Sequence, residues 1–317
     1  MAHQTEIVVN GTVTEVTEFD HTAQEIDDGI DNLHTLTGGA TTPQGALANL
    51  GAGVRPNLFI NYDFRIWQRY PSGTYTGVPN NTYIADGFLI LSSNGEISNT
   101  FERVDGGGIK ITSGPGCRIC KHLEGADSLN GKVCTLSVLK TNGFFTETVI
   151  ITEASESSDI IEQFSNGDLK WINSGETEYA IKLEEGDTQT LAYQDEDGAW
   201  QLLPQPESDY ETQLAKCQRY FFRSTANHYF SGCMYDASNG VFLVPYSVEM
   251  RTAPAVTAKN SGTLRFYDNT AVALTAGNIS VQSADGSGIK LFVSGVSGGK
   301  AGSATITDMQ FDFSAEL

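Results

Sequence analysis

The sequence predicts a mainly β chain, and three observations carry that reading. Glycine is frequent, at 33 of 317 residues. Turn signals such as Asp105-Gly106-Gly107-Gly108, Ser113-Gly114-Pro115-Gly116, Asn130-Gly131, Asn142-Gly143 and Glu185-Gly186-Asp187 recur at short intervals, the punctuation of many short strands. The final stretch, TDMQFDFSAEL, alternates cleanly. Met309, Phe311, Phe313 and Ala315 share one face, and Asp308, Gln310, Asp312 and Ser314 the other, as in a half-buried strand. The expected architecture is a short N-terminal helical segment, then a β-sandwich, then a second C-terminal β-domain.

Taken in order, residues 4–17 read as two short strands around the Asn10-Gly11 turn pair. A helix over about 22–36 follows. Thr22 and Glu25 form a capping box, and Ala23, Ile26, Ile30 and Leu33 step by three, four and three residues. That narrow seam spans under two heptads, too little to hold alone in water. Its own domain or copies of itself could cover it, and copies are the expected cover, so the segment predicts self-association. A connector helix over about 42–50 has Thr42 as N-cap, Pro43 at its first position and Gly51 at its end. Residues 1–54 thus form a self-associating N-terminal segment, 55–206 a β-sandwich, and 207–317 a linking helix plus a C-terminal β-domain. The linking helix has Ser208 and Glu211 as a second capping box, with Tyr210, Leu214, Cys217 and Phe221 at helical spacing. TLAYQ and AWQLL, flanking DEDG, read as a hairpin, and SGVSGGKAGS as a hairpin turn.

In NLFINYDFRIWQRY, residues 57–70, Asn57, Asn61, Asp63, Arg65 and Arg69 alternate with Leu58, Ile60, Tyr62, Phe64 and Ile66. This predicts a half-buried strand. Trp67 falls on its polar face. The expected role is packing, at a subunit contact or beneath Arg65 and Arg69, where guanidinium over indole contributes about 0.5–2 kcal/mol.

The formal net charge is −20. Residues 1–54 hold eight acidic residues and no Lys or Arg, and residues 153–211 hold sixteen acidic residues and two lysines. Such a chain lacks the basic footprint of a nucleic-acid binder, and its excess acid reads as solubility. No apolar run approaches the roughly 20 residues of a membrane span. MAHQTEIVVNG does not have the pattern of a signal peptide. The five cysteines are read as buried free thiols, since the Cys117/Cys120 CxxC pair has no second ligand pair.

No catalytic motif appears in the context it needs: there is no GxSxG elbow, no HExxH and no GxGxxG after a strand. Three copies of His34 on a trimer axis would suit a metal or anion, but an exposed helix-ending histidine is the plainer reading. The acidic turns at Glu184, Glu185 and Asp187 and at Asp195, Glu196 and Asp197 would suit structural calcium. Neither has EF-hand spacing, so solvated turn charge, and no cofactor, is expected. Aromatics are the better lead, because sugar rings stack apolar C–H faces on Trp and Tyr. Trp67, Tyr70, Tyr75, Tyr83, Trp171, Trp200, Tyr229 and Tyr235 are candidates. The loop PSGTYTGVPNNTY centres them on a glycan site of Tyr70, Tyr75 and Tyr83, with Asn80, Asn81 and Asp86 as hydrogen-bonding groups.

NLFINYDFRIWQRY followed by NNTYIADGF resembles a module common in bacteriophage and prophage tail fibres. HLEGADSLNGKVCTLSV (122–138) and ETQLAKCQRYFF (211–222) also match it. DHTAQEIDDGIDNL and TTPQGALANLGA look like fibre N-terminal helix and connector segments. The resemblance implies a jelly-roll sandwich similar to carbohydrate-binding modules, on a homotrimeric stalk. Phe88 stands where Trp is usual. The expected function is a virion-borne fibre or receptor-binding structural protein, assembled in the host cytoplasm. It would attach to a phage tail or capsid protein through residues 1–54 and engage a host surface polysaccharide. The alternatives are a head or neck fibre without a ligand and, less favoured, a glycan depolymerase.

Overall fold

The computed structural model describes residues 4–9, 12–17, 53–91, 99–195, 197–225, 227–285 and 287–317. The chain is mainly β and built of antiparallel sheets. It divides into two compact units, one of Met1–Val54 with Tyr193–Pro204, the other of Arg55–Ala192 with Gln205–Leu317. The expected helices over 22–36 and 42–50, with Ala23, Ile26, Ile30, Leu33 and His34, lie outside the described residues.

In the first unit, Gln4–Val9 pairs antiparallel with Thr12–Thr17, with Val9 opposite Thr12. The DEDG hairpin forms between Ala192–Gln194 and Trp200–Leu202. Its turn is closed by the Asp195 carboxylate, which accepts from the amides of Asp197 (3.1 Å) and Ala199 (2.8 Å) and from Gln201 Nε2 (2.8 Å). These bonds hold its pKa below the ordinary carboxylate value.

The larger unit contains two hydrophobic cores. The first draws its buried residues from Phe59 to Leu183 and the second from Phe230 to Ala315. Around the first, a six-stranded sheet runs in the order Gly143–Ile150, Val133–Lys140, Thr177–Glu185, Ile109–Ser113, Thr100–Arg103, Thr74–Thr76. A four-stranded sheet runs Trp171–Ile172, Cys117–Cys120, Leu89–Leu91, Thr82–Tyr83. Period-two patterns supply the core: Ile109 and Ile111, Cys134, Leu136 and Val138, Ile181 and Leu183 are all fully buried. The opposite face of the central strands is covered as well. Lys182 is fully buried, and its ammonium donates to Arg55 O, Thr190 Oγ1 and Gln205 Oε1, each at 2.7 Å. Glu184, expected as a solvated turn charge, is instead buried and accepts from Thr190 N and Oγ1 at 2.6 Å.

Around the second core, Phe221–Arg223, Phe311–Ser314 and Ala255–Ala258 form a three-stranded sheet. A seven-stranded sheet runs Ala271–Leu274, Gly262–Phe266, Gly302–Thr307, Phe230–Met234, Gly240–Pro245, Gly288–Val293, Ile279–Ala284. The terminal alternation behaves as expected, with Met309, Phe311 and Phe313 fully buried and Ala315 nearly so. SGVSGGKAGS is not a hairpin turn. It joins Gly288–Val293 to Gly302–Thr307, which have two other strands between them, so it is a crossover between non-neighbours.

Two further expectations are corrected. The helix Tyr210–Gln218 is capped by Asp209, whose carboxylate accepts from Thr212 N at 2.8 Å, rather than by Ser208. Its buried residues are Gln213 and Cys217, while Tyr210 is exposed. Residues 57–70 form no strand. Both parities are buried there, including Asn61, Asp63, Phe64 and Trp67, and Asn61 and Phe64 take left-handed φ of 53° and 55°. The segment is held between the six-stranded sheet and the helix. Leu58 N donates to Leu183 O (2.9 Å), Ile181 N to Tyr62 O (2.8 Å), and Asn61 N to Gln213 Oε1 (2.7 Å). A chain with neighbours on every side has no polar face to alternate.

Among the described residues no helix is long and apolar enough to cross a membrane. The five cysteines are free; four are buried and Cys233 is exposed. Cys117 and Cys120 lie on one strand, and their spacing of three points them to opposite faces.

Candidate functional site

The residues expected to form a glycan site do not form one surface. Tyr70 and Tyr75 stack on each other with centroids 3.9 Å apart, half-buried against the first core, so each ring has a face already covered. Asn80 and Asn81 are exposed. Tyr83 turns the other way, its hydroxyl donating to Leu317 O at 3.2 Å. Asp86 is 1 % exposed and offers nothing to an external ligand. The partly open pocket beside Tyr83, lined also by Leu58, Gly87 and His122, amounts to about 40 Å³, enough for water and too little for a sugar ring.

Asp86 belongs to a buried clasp. Its Oδ2 accepts from Gln68 Nε2 at 2.7 Å, and the Arg69 guanidinium lies 3.5 Å from Oδ1. Gln68 Nε2 also donates to Phe221 O at 2.8 Å. Arg69 pairs with Glu316 at 2.8 Å and lies over the rings of Phe221 (3.6 Å) and Tyr83 (5.0 Å). Arg223 donates to Arg69 O and grips Asp312 with two nitrogens, the fork geometry that suits guanidinium to carboxylate. Asn61 joins the turn: its Nδ2 donates to Ile66 O (2.9 Å) and Asp86 O (3.0 Å), and its Oδ1 accepts from Ile66 N (2.9 Å).

Burial decides the charges here. Desolvation pushes Asp86 up to about 7 against the opposing pull of Arg69. Lys121 is pushed down to about 8 by the same cause, its ammonium donating to Gly87 O at 2.6 Å and lying 4.2 Å from the Phe88 ring centroid. Gly87 suits this turn because its φ of 78° lies in the left-handed region that side chains strain to adopt.

The trio Arg65, Trp67 and Arg69 serves internal packing. Trp67 lies in the first core, with its indole N–H donating to Phe64 O at 2.7 Å. The expected arginine-over-indole stack is replaced by Arg69 over Phe221. Arg65 pairs with Asp63 and donates to Ser208 O.

The clasp's acids and cations face one another. Among the described residues no group of three or more His, Cys, Asp or Glu could hold a metal ion. Among the described residues the most exposed aromatics lie elsewhere, on the second lobe: Tyr229 and Tyr267, each 72 % exposed, and Tyr235. Tyr229 and Tyr235 were legible as candidates; Tyr267 was not, because its neighbours across the sheet are distant in sequence.

No family model matches this sequence, and no curated protein matches it. A structure titled "The 2.6A structure of Infectious Bursal Virus Derived T=1 Particles" aligns at 11 % identity over 77 % of this chain and 72 % of that one, with a TM-score of 0.12.

Proposed function

We propose that this chain is a non-enzymatic structural component of a bacteriophage particle, a trimeric fibre whose β-rich body faces outward and adheres to a host surface polysaccharide. One observation carries the reading. The segments that resemble the fibre module, 57–70, 80–88, 122–138 and 211–222, are far apart in sequence but meet in space. Asn61, Gln68 and Arg69 bond Asp86, Gln213 and Phe221, and His122 donates to the same Leu317 carbonyl as Tyr83 (3.0 Å). The matching residues therefore form one architectural unit, a clasp joining two β-lobes into a single body. That is what a displayed head under load requires, and it supports a shared architecture rather than a shared catalytic site.

Immunogold labelling of purified particles, with light scattering on the isolated protein, tests this. The expected result is label on projecting structures and a mass three times 34.2 kDa. A monomer absent from the particles overturns it.

A further inference from the structure

We propose that the outer face of the seven-stranded sheet carries a binding trough for a carboxylate-bearing glycan, framed by Tyr229, Tyr267 and Arg265. The register builds it. Tyr229 directly precedes Phe230, which pairs with Ile306, and Tyr267 directly follows Phe266, which pairs with Ala304. The two tyrosines therefore stand on opposite sides of the strand Gly302–Thr307, toward opposite ends. From Ser303 to Thr307, the last of which is buried, the strand spans about 13 Å at ~3.3 Å per residue. Arg265 lies opposite Thr305, at the middle of that span. The resulting cleft of about 260 Å³ is lined by Tyr229, Arg265, Tyr267, Asn269, Ser303 and Thr305.

The Tyr267 side of the trough is braced by its own turn. The Tyr267 ring lies against Gly302, where a Cβ would sit 3.4 Å from Cδ1 and Cε1. The turn that presents it is closed on itself. Phe266 N donates to Thr270 O (2.9 Å) and Asn269 N to Phe266 O (3.0 Å), with Asn269 left-handed at φ 65°. Asp268 accepts from Thr270 N (3.1 Å) and Oγ1 (2.6 Å) and pairs with Lys300. An aromatic fixed before its ligand arrives loses little entropy on binding.

The chemistry selects the ligand class. Exposed phenol rings offer faces to sugar C–H groups, and Ser303 and Thr305 offer hydroxyls. Arg69, Arg118 and Arg223 are each paired to carboxylates, whereas no carboxylate among the described residues lies within ion-pair reach of Arg265. A guanidinium that lines the same cleft as two exposed tyrosines matches a planar sugar carboxylate with its paired donors. This goes beyond the fibre reading, because the trough's chemistry does not require a particle.

The test is binding of the full-length protein to immobilised polysialic acid and alginate, their carboxyl-reduced forms, and dextran. Expected is binding to at least one acidic polymer. It should weaken tenfold or more on carboxyl reduction and in each of Tyr229→Ala, Tyr267→Ala and Arg265→Ala, with Arg265→Lys restoring only part. Melting curves unchanged from the parent would show that these surface substitutions leave the fold intact. No binding to either acidic polymer overturns the inference, as does binding that the substitutions or carboxyl reduction leave untouched. A particle-borne protein that binds neither polymer defeats this inference alone, and a binder absent from particles defeats the fibre reading alone.

Discussion

Residues 57–70 and 308–315 carry the same alternating pattern and end in opposite structures. The terminal segment pairs as the strand Phe311–Ser314 between Phe221–Arg223 and Ala255–Ala258, with one face fully buried and the other partly exposed. The earlier segment has no ladder, takes left-handed turns at Asn61 and Phe64, and buries both faces. Alternation reports that a chain could present two different faces. Whether it does depends on what packs against it. In 57–70 the polar parity is buried because its groups are needed as donors and acceptors inside the clasp.

The comparison can be broken most severely at the clasp's charges and at its tryptophan. Arg69→Ala strips the cation from between Asp86 and Glu316 and is expected to cost about 3–5 kcal/mol in urea unfolding. Trp67→Ala should cost a similar ~3–5 kcal/mol, through a cavity and a stranded Phe64 carbonyl. Phe313→Ala, the matching core position in the terminal strand, belongs in the same range. If Trp67→Ala left stability intact, the segment's burial would be refuted.

Asn61→Ala is the sharper probe of parity. It removes three hydrogen bonds from a fully buried site, with an expected loss of about 2–3 kcal/mol.

Titration separates the two regions further. Burial holds Asp86 near 7, and near 8 it holds Glu178, a fully buried carboxylate on the strand Thr177–Glu185 of the six-stranded sheet, against ordinary carboxylate values near ~4. Between those limits the folded chain binds protons that the unfolded chain has lost. The contribution of these groups is thus fully present below about pH 4 and declines as pH rises toward 7 and 8, by at most ~1.4 kcal/mol per pH unit per group. Stability measured across that window should lose part of its slope in Asp86→Asn. An unchanged slope would show that Asp86 is ionised in the folded state throughout.

The smallest effects test the outward positions. Asp209→Ala, removing the helix cap, should cost about 1 kcal/mol. Gln310→Ala, at the terminal strand's counterpart of Asn61, should stay within about 0.5 kcal/mol.

The β character, the terminal strand, the DEDG hairpin and the helix near 210–218 were legible because each rests on local chemistry: a two-residue period, a turn tetrapeptide, a cap. The clasp was legible only in its parts. Gln68, Asp86, Phe221 and Glu316 stand up to 248 positions apart in the chain, and nothing local says that they meet. The glycan candidates suffered the same way: Tyr83 and Asp86 look available until the rest of the chain packs over them, and Tyr267 gains its platform only from Gly302 on a neighbouring strand.

By itself, the sequence determined which residues can alternate, turn and cap, and hence that this chain is built of short antiparallel strands, because those preferences act over a few bonds. Only the tertiary structure decided which polar groups are interior, which aromatics face outward, and which pattern becomes a strand. Each of those outcomes depends on desolvation and partner geometry supplied by residues remote along the chain.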